Sequence, residues 1–280
     1  METIFDYDPM PAEPRYLAES DADAYRARDE RIRNPPGARM KPLYILKVGT
    51  TFPDTARRLG DFDDWTRAGL GDPGLPIEIL AVAAGAPLPP PGICAGAVIT
   101  GAHEMVTDDL PWSLALECWL PTLLNLGRPV LGICYGHQLL ARALGGTVGT
   151  LPGGSELGTL SLRTAPERVD DPLFGSLPER FLAQVAHEQS VLMLPPGAVA
   201  LAASAREPHH AVRFGPRAWG VQFHPEFDTA VMRDYLQAET ATLAADRASV
   251  ADRSREVAET PEAAAVLARF GRLAADIGGG

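Results

Sequence analysis

The chain predicts an α/β fold: a mostly parallel central sheet covered by helices on both faces, with added antiparallel strands. Three observations carry that expectation. Short apolar runs alternate with helical stretches across residues 43–144, as when helices link the strands of a parallel sheet. A sharp strand-turn-helix junction surrounds Cys134, and open sheets of this type hold their sites at the carboxyl ends of strands. Beyond it, short alternating runs extend the sheet in antiparallel fashion.

Residues 43–48 (LYILKV) give the first strand and Gly49-Thr50-Thr51 the turn beyond it. Ile77, Ile79, Ala81 and Val82 mark a second. A proline-rich loop at 87–91 leads to a third, Ala97-Val98-Ile99, followed by the loop Thr100-Gly101-Ala102-His103. A helix over 112–126 returns the chain to the buried strand Pro129-Val130-Leu131, and a helix over 136–144 is stopped by Gly145-Gly146. Runs at 159–162, 181–186, 198–203 and 211–214 read as antiparallel strands leading to 218–223 (AWGVQF). From Asp228 the chain turns helical, and 258–277 carries Ala263, Val266, Leu267 and Phe270 at helical spacing. Such a stripe usually packs on its own domain; the alternative is a docking surface for another subunit.

Residues 1–42 stand apart, with six prolines, nine acidic and seven basic residues and one candidate helix at 19–33. Met40 sits just before the first strand, so a start of translation there is one reading and a partner-binding arm another. The expected organisation is an N-terminal extension at 1–42, open to partial disorder, a central domain at 43–240 and a helical C-terminal extension at 241–280.

At 280 residues and 46% hydrophobic, the chain can bury one sizeable core. A net charge of −11, with no lysine- or arginine-rich stripe, argues against nucleic acid or an anionic membrane as partner. No apolar run approaches a membrane span, and the N-terminus is acidic rather than a basic signal region. Cys94, Cys118 and Cys134 form an odd, sparse set that fits a reducing cytoplasm in which Cys134 stays free. Cys94 and Cys118 read as structural.

Cys134 occupies the turn between strand and helix, with Gly132 two residues before it and Gly136 two after. That spacing is the elbow that exposes a nucleophile, its glycines letting the backbone fold around a strained central residue. The adjoining helix N-terminus favours thiolate over thiol. The alternative is a small apolar cysteine in a core turn. A base is available downstream, where His224-Pro225-Glu226 follows AWGVQF. Pro225 ends the strand, leaving His224 at its tip with the Glu226 carboxylate two residues away. A carboxylate there can hold the imidazole in one tautomer and stabilise its protonated form. Taken alone, His224 is also compatible with an ordinary surface or core histidine.

The pair GICYGHQ (132–138) and GVQFHPE (220–226) resembles the class I glutamine amidotransferases, and most of all proteins similar to the amidotransferase domain of GMP synthase. The resemblance runs from about residue 43 to about residue 236. It implies a three-layer, flavodoxin-like sandwich that hydrolyses the side-chain amide of glutamine to glutamate and ammonia through a cysteinyl thioester. By motif matching, Cys134 is the nucleophile, His224 the base and Glu226 the orienting carboxylate. The Tyr135 N–H supplies one oxyanion donor, and the loop holding Gly101 and Ala102 supplies the second. Gln138 stands where the family's elbow helix carries a glutamine near the substrate. Residues 185–191 resemble the Ser-His-Gly-Asp-x-Val segment beside the glutamine α-amino and carboxylate groups, which places His187 and Gln189 there. No cofactor is expected.

Two departures bear on substrate. Ala102-His103 stands where GMP synthase-type enzymes read Gly-Pro, and Gln189 stands at the acidic position. Both make a larger γ-glutamyl substrate a second possibility, with His103 at the pocket. No metal site is expected: His209 and His210 are neighbours that point to opposite faces of an extended segment, and no cluster has zinc-ligand spacing. No phosphate-binding glycine-rich loop is present. The leading expectation is therefore a glutamine-hydrolysing amidotransferase subunit or a stand-alone glutaminase, with a synthase subunit as one partner that could accept the ammonia. The alternatives are a γ-glutamyl hydrolase or peptidase with the same three residues, and a non-catalytic regulatory protein on the same fold.

Overall fold

The computed structural model describes residues 40–243 and 254–278. The candidate helix at 19–33, and nearly all of the N-terminal extension, lie outside the described residues. In chain order the elements are β1 (Leu43–Lys47), α1 (Pro53–Leu59), α2 (Phe62–Leu70), β2 (Ile77–Ala81), β3 (Gly96–Ile99), α3 (Pro111–Asn125), β4 (Val130–Ile133) and α4 (Tyr135–Ala143). Then follow β5 (Thr147–Thr150), β6 (Glu156–Thr164), β7 (Arg180–His187), β8 (Gln189–Met193), β9 (Val199–Ala203), β10 (Ala211–Gly215), β11 (Ala218–Val221), α5 (Thr229–Leu243) and α6 (Pro261–Gly278).

Among the described residues, nine strands form one sheet in the order β2-β1-β3-β4-β11-β10-β9-β6-β7. The first five are mutually parallel, and β10, β9, β6 and β7 join antiparallel. Two registers make the site. Val221 pairs with Ile133, and Ile99 with Gly132, so the segments leaving β3, β4 and β11 emerge side by side.

Side chains alternate across this sheet with period two. Leu43 and Ile45 enter the same core as Leu70, Ala263, Val266 and Phe270, while Tyr44 and Leu46 enter a second core with Leu116, Leu120, Leu139 and Leu140. Helices α2 and α6 thus cover one face and α3 and α4 the other, giving three layers. Burial on both faces explains why β1, β3, β4 and β11 read as continuous apolar runs, while the edge strand β2 is part-exposed.

The stripe Ala263, Val266, Leu267 and Phe270 is fully buried in this core. A Cβ added to Gly69 of α2 would stand 2.5 Å from Leu267 Cδ1, so the two helices meet closely enough that a side chain there would displace the leucine. The stripe is therefore internal packing and not a docking face. Cys118 departs from expectation. It is exposed on α3, whereas Cys94 is buried and its thiol is pushed up to about 11, chiefly by burial.

Helices α1 and α2 were not anticipated. Pro53 opens α1, and α2 begins at a capping box in which Asp61 caps the helix and the Asp64 carboxylate returns to the Asp61 N–H. The separate pair β5–β8 was also missed, because its strands are short and half-exposed and meet only through the fold.

Candidate active site

The elbow is strained where the sequence places it. Cys134 has φ 48° and ψ −100°, one of two non-glycine residues with positive φ among the described residues, a conformation that costs about 1–3 kcal/mol. A Cβ on Gly132 would stand 2.3 Å from Gly136 O, and one on Gly136 would stand 2.5 Å from Ile99 O. The turn therefore closes only around glycine on both sides. The Cys134 N–H donates to Val221 O at 2.8 Å, tying the elbow to the end of β11.

Just beyond β11, His224 Nδ1 lies 2.7 Å from Glu226 Oε1, and both residues are buried. The His224 N–H donates to Gln184 O, and its ring stacks on Phe227 with centroids 4.1 Å apart. Burial pulls the imidazole pKa down, but the Glu226 carboxylate and the Cys134 sulfur together outweigh it and raise the value to about 10. An imidazole with a carboxylate on one side and the sulfur on the other is equipped to hold a proton and deliver it beside the sulfur.

Cys134, Tyr135, Ala102, His103, Gln138, His187, Gln189 and Tyr235 line one cavity. Tyr135 opens α4, so its N–H belongs to the first turn that lacks intrahelical partners. Gly101 lies against the His224 ring, where a Cβ would stand 3.0 Å from Cε1. His103 Nε2 sits 3.0 Å from the Tyr235 hydroxyl, and its ring packs against Phe52.

The remaining expected substrate residues are committed largely to the protein. Gln138 Nε2 donates to Gln189 O at 2.9 Å and to Gln222 Oε1 at 3.0 Å. His187 has Nδ1 3.0 Å from Gln189 O and Nε2 3.2 Å from Glu156 Oε2. Gln189 donates through Nε2 to Thr107 Oγ1 at 2.7 Å, while its buried Oε1 has no partner.

Sequence reasoning missed Glu156, and weighed His210 only as a metal ligand. His210 Nε2 lies 2.8 Å from Glu156 Oε2, and Ser204 Oγ donates to Glu156 Oε1 at 2.8 Å. Burial would raise the Glu156 pKa, but hydrogen bonds from His187, His210 and Ser204 hold it well below the usual carboxylate range. Glu156, His187 and His210 offer cation-ligand atoms within 4.8 Å of one another, although they are far apart in sequence. Their separations are those of direct hydrogen bonds, and Arg206 Nε lies 3.7 Å from the same carboxylate, which favours an internal hydrogen-bonded cluster over a cation site. His209 turns the other way, with Nδ1 on Val191 O. Gln222 was also passed over, although a polar residue inside the apolar run AWGVQF was a visible signal.

A parallel α/β sheet with a strained cysteine elbow and a buried histidine–carboxylate pair at its carboxyl edge defines a cysteine-elbow class of α/β protein. The family model described as Glutamine amidotransferase class-I matches residues 116–241. A GMP synthase (glutamine-hydrolyzing) from Aeropyrum pernix is 39% identical over 132 residues, 47% of this chain and 24% of the synthase. Gamma-glutamyl peptidase 5 of Arabidopsis thaliana is 30% identical over 169 residues, 60% of this chain and 67% of the peptidase. A glutamine amido transferase from Methylobacillus flagellatus shares the fold with a TM-score of 0.67 at 24% identity, covering 84% of this chain and 93% of that one. The chain belongs to the class I glutamine amidotransferases. It spans only about a fifth to a quarter of the GMP synthases it matches. Among the described residues, no helix is long and apolar enough to cross a membrane.

Proposed function

We propose that the protein hydrolyses the side-chain amide of glutamine through a thioester on Cys134. The observation that carries this is the buried His224–Glu226 pair at 2.7 Å, which keeps a protonated imidazole coupled to the sulfur of a strained elbow. The Cys134 thiolate attacks the amide carbon, and the resulting oxyanion takes N–H donors from Tyr135 and from the Gly101-Ala102 loop. His224 gives its proton to the amide nitrogen, the C–N bond breaks and ammonia leaves. Neutral His224 then takes a proton from water, whose oxygen attacks the thioester, releasing glutamate and restoring the thiolate–imidazolium pair. Glu226 acts throughout by orienting and stabilising the imidazolium. At the cavity, Gln189, His103 and His187 shape the wall around the substrate. A synthase subunit consuming the ammonia would complete the reaction.

The test is release of ammonia and glutamate from glutamine by the purified protein, beside Cys134→Ala. Activity in the first and none in the second supports the reading; equal activity in both sinks it.

A second reading is favoured by the relationship to gamma-glutamyl peptidase 5, which extends over two-thirds of that protein. The same chemistry would then act on γ-glutamyl peptides, with an amine in place of ammonia as leaving group. Cleavage of γ-glutamyl dipeptides without turnover of glutamine would establish it over the first.

A further inference from the structure

Besides His224, the structure places one more polar side chain against the Cys134 sulfur. Gln222 is fully buried, and its Nε2 lies 3.5 Å from Sγ. The amide cannot be turned round. Gln138 Nε2 donates to the Gln189 backbone oxygen, which can only accept, so the Gln138 NH2 must face that way. The same NH2 donates to Gln222 Oε1, and this puts the Gln222 carbonyl toward Gln138 and its NH2 toward the sulfur. A backbone carbonyl thus fixes, through two side chains, which end of an amide meets the nucleophile. The Gln222 backbone N–H is satisfied separately, on His210 O at 2.8 Å.

A backbone contact to Sγ has the opposite preference. Ala186 O lies 3.7 Å away, where it can accept from a thiol but only repel a thiolate. The Gln222 N–H does the reverse, since it strengthens as the sulfur becomes negative. In a buried site, a donor aimed at a forming charge costs no reorganisation when the charge appears.

We infer that Gln222 is a catalytic hydrogen-bond donor to the Cys134 sulfur, and that Gln138 is a positioning residue that aims it. This assignment rests on Cys134 being the nucleophile, yet it concerns the sulfur itself and can be tested without any substrate. It also gives Gln138 a task other than touching substrate.

The experiment is alkylation of Cys134 by iodoacetamide across pH, followed at its own peptide by mass spectrometry so that exposed Cys118 does not interfere. Gln222→Met keeps length and neutrality but has no donor. We expect the half-maximal pH of its alkylation to move upward by about one, as for loss of one charge-assisted hydrogen bond. Gln222→Glu, which adds a negative charge, should move it further, and Gln138→Leu less. An unchanged profile in a folded Gln222→Met protein overturns the inference. Should that variant fail to fold, the side-chain amide resonance of Gln222 in wild-type protein decides. It should titrate with the alkylation curve and stop doing so in Cys134→Ala; a resonance indifferent to pH in the wild type overturns the inference equally. Neither readout involves glutamine turnover, so failure of the proposed hydrolysis remains a separate result.

Discussion

Gly101 approaches His224 so closely that a Cβ on the glycine would stand 3.0 Å from Cε1 of the imidazole and 3.4 Å from Phe62 Cε1. The loop after β3 and the segment after β11 therefore touch through a residue with no side chain, and the ring position depends on it. Gly101→Ala should lower turnover by roughly tenfold while leaving the melting temperature nearly unchanged, since a displacement of a few tenths of an ångström suffices to misplace a reacting group. Gly101→Val should abolish turnover. Steady-state rates measured beside thermal denaturation decide; a fully active Gly101→Val would remove the constraint.

The His224–Glu226 pair makes stability depend on alkaline pH. The imidazole pKa is raised in the folded state, to about 10, above its unfolded value of about 6.5. Its contribution is therefore complete below the unfolded value and is lost as pH rises through the folded one. Wild type minus His224→Phe should show a stability difference that shrinks between pH 6.5 and 10. With Glu226→Gln the loss should move to lower pH, and denaturant melts across that range would show whether it does.

Glu156 has the opposite sign. Its folded pKa is depressed by the His187, His210 and Ser204 hydrogen bonds, so the stabilisation is present above the unfolded value and lost as pH falls. Glu156→Ala strips a buried carboxylate from two imidazoles and should cost on the order of 3 kcal/mol at pH 7. Urea unfolding from pH 7 down to pH 3 would find the difference shrinking only below the unfolded value of about 4.5; a cost that stays constant there would contradict the hydrogen-bond account.

The C-terminal helix is part of the core. Leu267→Ala, at a fully buried position packed on Gly69, should destabilise the protein by about 2–5 kcal/mol. A change below about 0.5 kcal/mol, the usual range for surface substitutions, would place the helix outside the cooperative unit.

Much of the fold was legible because parallel strands buried on both faces leave apolar runs that no loop would carry. The runs at 43–48, 97–99 and 218–223 all became strands of the parallel half. Helices α1 and α2 were not read, although the Asp61-x-x-Asp64 box and Pro53 are local signals of their starts. The pair β5–β8 had no local signal of comparable strength, since partners 147–150 and 189–193 meet only after the chain has folded.

The sequence by itself determined the elbow and the histidine–carboxylate tip, because both are local. Gly132 and Gly136 must flank Cys134 for the turn to close, and Pro225 holds His224 and Glu226 two residues apart at a strand end. Tertiary structure alone decided which side chains surround the sulfur. Gln222 and Cys134 are 88 residues apart, Gln138 and Gln189 51, and Glu156 and His210 54. Their meeting follows from strand order and register. These are fixed by how two apolar faces are covered at once, a condition on the whole sheet that no single segment expresses.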